Sequence, residues 1–150
     1  MAQKHGEGTQ MAGLTGSTHG GQERAARRLT APLLSFDLAQ EADRLRREAN
    51  WALHGHNAMT LVKEQAYRLV LIAMRQGALL SEHSAPGPLS IQVLRGQIQV
   101  AADDQTVALS AGQLLVLDAG VPHAVTALAE SDFVLTIAAD GYGGPTPAAE

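Results

Sequence analysis

From residue 60 onward the chain reads as short apolar runs separated by turn signals. Between Gly77 and Gly120 come Ile91-Gln92-Val93-Leu94, Gln97-Ile98-Gln99-Val100, Thr106-Val107-Ala108-Leu109 and Leu114-Leu115-Val116-Leu117. Arg95-Gly96, Asp103-Asp104 and Ser110-Ala111-Gly112 punctuate them. Runs this short, rich in Val, Ile and Leu and evenly spaced, suit antiparallel strands and are too brief for helices. Upstream, Tyr67 to Met74 is apolar at successive positions, which predicts a strand packed on both faces, with the barrel interior on one side and a second layer on the other. Ala129 to Asp132 reads as a turn, and Phe133 to Ala138 supplies the last strand. The pattern predicts an all-β barrel or sandwich.

One helix precedes the strands. Leu38, Ala42, Leu45 and Ala49 form a single apolar stripe, predicting a helix over about 37–50. Asp37 followed by Gln40 is a capping arrangement, and Asp43 and Arg47 stand one helical turn apart as an ion pair. Trp51, the only tryptophan, is expected to anchor the helix end by packing, with the helix docked outside the barrel or at a subunit contact. Residues 1–30, rich in Gly, Gln, Thr and Ser and without a periodic apolar face, are expected to form a flexible arm, and 140–150 a loose tail punctuated by Gly and Pro. Residues 31–139 then make one domain.

Composition narrows the function classes. The chain has no cysteine, which excludes disulfides, thiolate metal sites and cysteine nucleophiles, and fits the cytoplasm. Only five residues are aromatic, so the core is aliphatic and stacking on bases or sugars is disfavoured. Residues 1–30 carry a net charge of +2, which leaves −6 on the rest. An acidic body argues against a nucleic-acid surface, and the absence of a long apolar run or a signal-peptide core argues against membrane insertion or secretion. No nucleophile elbow and no phosphate-binding loop occurs.

The glycines and two histidines are spaced in a specific way. Five residues separate Gly77 from His83, and six separate Leu89 from Gly96. Five more separate Gly112 from Asp118-Ala119-Gly120, and two more separate Gly120 from His123. This resembles the paired motifs of the cupin family over Gly77–Ala127, and the flanking strands extend the likeness over most of 60–138. The resemblance implies a double-stranded β-helix, a jelly-roll barrel, with one N-terminal helix, and a homodimer paired through edge strands.

In cupins with a complete metal site, two histidines and a glutamate of the first motif and one histidine of the second hold a divalent metal. Carried over residue by residue, the first ligand matches His83 and the last His123, while the second histidine falls on Ala85 and the glutamate on Leu89. Asp118 and Ala127 stand at the second motif's proline and asparagine. Two imidazoles are fewer than the three protein ligands a catalytic metal usually takes. With Leu89 inward, the strand period of two also turns Ile91 and Val93 inward and Gln92 outward, giving a greasy wall; a one-residue slip at Pro86-Gly87-Pro88 would reverse this.

The expected site is thus a ligand pocket of His83, His123, Leu89, Ile91 and Val93, taking a small acidic or carbonyl-bearing organic molecule. The plain alternative makes each histidine a hydrogen-bonded polar plug. No cofactor is assigned. A metal-dependent dioxygenase, isomerase or lyase using His83, His123 and a recruited third ligand is the competing reading. His54 and His56, folded over the barrel mouth, are one candidate source of that ligand, and Glu82 is another. A third reading is metal-free acid–base catalysis, with Asp118 orienting a histidine.

Overall fold

The computed structural model describes residues 31–138, so the expected arm and tail lie outside the described residues. Two short helices, α1 (Leu38–Arg46) and α2 (Ala49–His54), lead into nine strands. These are β1 (His56–Lys63), β2 (Tyr67–Met74), β3 (Leu79–His83), β4 (Leu89–Arg95), β5 (Gln97–Ala102), β6 (Gln105–Ser110), β7 (Leu114–Leu117), β8 (His123–Ala127) and β9 (Ser131–Ala138). All pair antiparallel, in one sheet of order β1-β2-β9-β4-β7 and a second of order β3-β8-β5-β6. This is the jelly-roll barrel that the strand pattern and the resemblance predict.

The predicted single helix is broken in two. Asp37 does cap α1, its side chain accepting from the Gln40 N–H at 3.0 Å. The α-helical ladder then stops because the Leu45 carbonyl is taken up elsewhere: it accepts from the Asn57 amide at 3.1 Å and from Glu48 N–H at 3.3 Å. Glu48 leaves helical space at ψ 156°, and its carboxylate accepts from the same Asn57 amide at 2.8 Å. Asp43 consequently pairs with Arg46 at 3.7 Å rather than with Arg47.

β2 explains the two-layer design. Val70, Ile72 and Met74 join the barrel core, while Leu71 and Ala73 join a second cluster with Ala42, Leu45, Trp51, Met59 and Leu61 under the helices. The helices therefore dock on the outer face of the five-stranded sheet. Trp51 is buried there, with the Arg46 and Arg75 guanidinium groups 5.2 and 5.4 Å from its ring. β4 has the register read from its alternation: Leu89, Ile91 and Val93 are buried in the core and Gln92 is exposed.

Candidate functional site

β3 and β8 bring the two motif histidines together. His83 is the cross-strand partner of His123, and the ring centroids stand 4.3 Å apart in an edge-to-face arrangement. β8 turns His123, Val125 and Ala127 to the core side by simple alternation. β3 needs an irregularity to match it, because Leu80 faces Val125 and His83 faces His123. Three steps along one strand thus answer two along the other. The bulge puts Leu80 and His83 on the same face despite their odd spacing and leaves Glu82 exposed. Glu82 is therefore not brought to the pair.

Each ring is held by its own turn. His83 Nδ1 lies 2.5 Å from the Ser81 carbonyl oxygen and His123 Nδ1 lies 2.9 Å from that of Val121. A carbonyl oxygen only accepts, so each Nδ1 carries the proton and each Nε2 presents a lone pair in the neutral ring. His123 is 2% exposed and His83 half-buried. Burial holds His83 below the usual imidazole pKa; its hydrogen bond to Ser81 pulls the other way, and repulsion from His123 adds to the lowering.

The surroundings are apolar. Ala85 and Leu89, which stand where the family places its other ligands, are each 4% exposed and belong to the aliphatic core. Among the described residues no cluster of three histidine, aspartate or glutamate side chains could hold a metal ion. Two imidazole nitrogens with a methyl and an isobutyl group in place of the remaining donors do not fit a tight divalent site. Asp118 is exposed and caps its own turn, accepting from Ala119 N–H at 2.7 Å, and His123 takes its orientation from Val121 instead.

His54 and His56 lie at the other end of the barrel. Gly55, left-handed at φ 71°, caps α2 and turns the chain into β1. His56 pairs with Met74, and Met74 with Ser131 at the start of β9. The Ser131 hydroxyl bonds Gln97 at the start of β5, whereas His123 faces Ala102 at the end of β5. The length of β5 therefore separates the two histidine pairs, and His54 and His56 do not cover the mouth at His83. His56 repeats the same local device, with Nδ1 3.1 Å from the His54 carbonyl oxygen, and its Nε2 is buried without a hydrogen-bond partner.

One charged constellation had no clear sequence signal. Arg46 of α1 meets Asp132 of β9, and Arg95 of β4 reaches the same carboxylate at 3.2 Å. Glu130 joins both guanidinium groups at 3.3 and 3.5 Å. Asp132 and Glu130 read in sequence only as turn residues.

Comparison with known proteins agrees with the fold. Residues 70–138 match the family model described as a cupin domain. A conserved protein of unknown function from Streptococcus pyogenes superposes with a TM-score of 0.60 at 22% identity, over 77% of this chain and 96% of that one. A cupin superfamily protein from Desulfitobacterium hafniense gives 0.55 at 21% identity, over 57% of this chain and 78% of that one. A variant of the salicylate 1,2-dioxygenase from Pseudoaminobacter salicylatoxidans gives 0.53 at 22% identity, over 56% of this chain but only 26% of the dioxygenase. No curated protein matches by sequence.

Proposed function

Residues 70–138 place this chain in the cupin superfamily, and on that premise we propose that it is a small-molecule-binding cupin. In this reading the ligand sits against the wall of Leu89, Ile91 and Val93, with His83 and His123 at its polar end. The observation that carries the reading is the pairing of two imidazoles, 4.3 Å apart, in a motif whose other ligand positions, Ala85 and Leu89, are buried and apolar. Imidazole lone pairs give orientation, and the aliphatic wall gives most of the selection.

The competing reading, a metal-dependent enzyme of the dioxygenase, isomerase or lyase type, is favoured by the two Nε2 lone pairs and requires a third donor. Metal analysis of the purified chain decides between them. Substoichiometric metal, together with a small organic molecule retained through native purification and lost in His123→Ala, supports the binding module. Near-stoichiometric iron, manganese, nickel, copper or zinc that disappears in the same variant overturns it.

The reading also keeps the protein in the cytoplasm and pairs it as a homodimer. Among the described residues no helix is long and apolar enough to cross a membrane. Leu114 and Val116, 58% and 66% exposed on the edge strand β7, support a protein contact there.

A further inference from the structure

An open sheet edge pairs with any strand that reaches it, and natural edges are therefore bulged or guarded by charge. Among the described residues three of the sheet edges are guarded in this way. β1 has a register shift between Thr60 and Val62 and ends at Lys63. β3 carries the bulge described above and exposes Glu82. β6 starts from the Asp103-Asp104 turn and exposes only small or polar side chains. β7 differs: Leu114 and Val116 are 58% and 66% exposed, and neither this strand nor its outward neighbours Ser90 and Gln92 on β4 carry a charge.

The same two residues offer the free backbone groups of β7. Val93 N–H donates to the Gln113 carbonyl at 3.1 Å, and the Pro88 carbonyl accepts from Ala138 N–H at 2.9 Å. Odd positions of β4 therefore face β7 and even positions face β9. Leu115 and Leu117 direct their amides to β4, while Leu114 and Val116 turn theirs to the open edge. From this we infer that β7 takes the β7 of a second copy, antiparallel about a two-fold axis that sets Leu115 opposite Leu115. The inference rests on the homodimer reading given above and assigns its edge and register.

A two-fold axis normal to the sheet keeps the core faces of both copies on one side, so an inward residue must lie opposite an inward one. An axis at Leu115 meets this condition. It sets Leu114 of each copy opposite Val116 of the other, an apolar pair that exchanges two backbone hydrogen bonds and is repeated by symmetry. An axis at Val116 instead sets Leu114 against Asp118, whose carbonyl already accepts from Val121 N–H at 3.4 Å. A second copy suits this edge because the chain beyond residue 30 carries −6, and here two acidic bodies meet without opposing carboxylates. Strand β7 has 4 residues, and its pairing alone falls short of the roughly 800 Å² that each partner of a stable complex buries, so the dimer forms in a concentration-dependent way.

Sedimentation equilibrium of the full chain over a wide concentration range tests the edge. Val116→Lys puts a charge at an exposed position and is expected to weaken the dimer at least about tenfold, the worth of roughly one such apolar contact, with the circular dichroism spectrum and melting temperature of the dilute chain unchanged. Single cysteines test the register, since the chain has none of its own. Leu115→Cys is expected to form an intermolecular disulfide on mild oxidation, because opposed residues of that kind stand about 4.5 Å apart. Val116→Cys is not, because its copies stand about 8 Å apart. Should Leu115→Cys fail to fold, absence of a cross-link in Val116→Cys and the sedimentation of Val116→Lys still decide. A dimer that Val116→Lys leaves intact overturns the inference while the homodimer reading stands, and so does a cross-link through Val116→Cys. A wild-type chain that stays monomeric throughout sinks both.

Discussion

Arg46 at the end of α1 and Asp132 near the start of β9 form an ion pair in which both side chains are largely buried, 13% and 7% exposed. It links the helix layer to the barrel, as do the bonds of Asn57 to the Leu45 carbonyl and the Glu48 carboxylate. Removing Arg46 leaves a buried carboxylate held by Arg95 alone. Arg46→Met is therefore expected to cost about 2–3 kcal/mol, less than fully orphaning a buried charge. Arg95 is half exposed, so Arg95→Met is expected to cost about 1 kcal/mol or less. Urea unfolding of the two variants checks the order.

Gly96 sits at φ 84° in the β4–β5 turn, where an added Cβ would overlap the Glu130 carbonyl oxygen and the Ser131 hydroxyl. Gly112 has nearly the same φ, 86°, but open space around it. Gly112→Ala is expected to cost about 1 kcal/mol, the left-handed penalty alone. Gly96→Ala adds displacement of backbone and is expected to cost at least about twice that. Thermal melts of both variants measure the difference.

Acid is expected to weaken the fold through two histidines. Burial holds His56 and His83 below the ordinary imidazole value of about 6.5 in the folded chain, so the unfolded chain takes up protons first as the pH falls. The linkage sign follows: stability is full above about 6.5 and is lost as the pH drops through the folded values. The urea midpoint should fall between pH 7 and pH 5, and His56→Asn and His83→Asn should each flatten that fall. A midpoint that rises over this range contradicts the assignment.

Trp51 packs under the helices with Met59, Leu61 and Leu71 of β1 and β2, and packing is the larger part of what it contributes. Trp51→Ala is expected to cost about 3–5 kcal/mol by leaving a cavity. Arg75→Ala, which removes one exposed cation from its ring, is expected to cost about 0.5–1 kcal/mol. Chemical denaturation followed by the fluorescence of this single tryptophan reads the arginine variant directly, and circular dichroism reads the tryptophan variant.

The barrel was legible because its information is local. Alternation fixed the faces of Leu89, Ile91, Val93 and Gln92, and unbroken apolarity marked β2 as a strand between two layers. Motif spacing brought His83 to His123, but the bulge that lets both face the core is a feature of pairing that composition does not announce. The break between α1 and α2 was hidden for a similar reason. Its cause is the side chain of Asn57, twelve residues beyond the carbonyl it captures. Asp132 looked like part of a turn because its partner Arg46 is 86 residues away.

β2 is bonded on one edge to β1 and on the other to β9, and Val70 to Met74 are no more than 1% exposed. Solvent deuterium reaches those amides when the pairing with edge strand β1 or with central strand β9 opens. After transfer to heavy water, the protons on this strand are expected to outlast those of the edge strands. Comparing amides bonded to β1 with those bonded to β9 separates fraying of the sheet edge from opening of its centre.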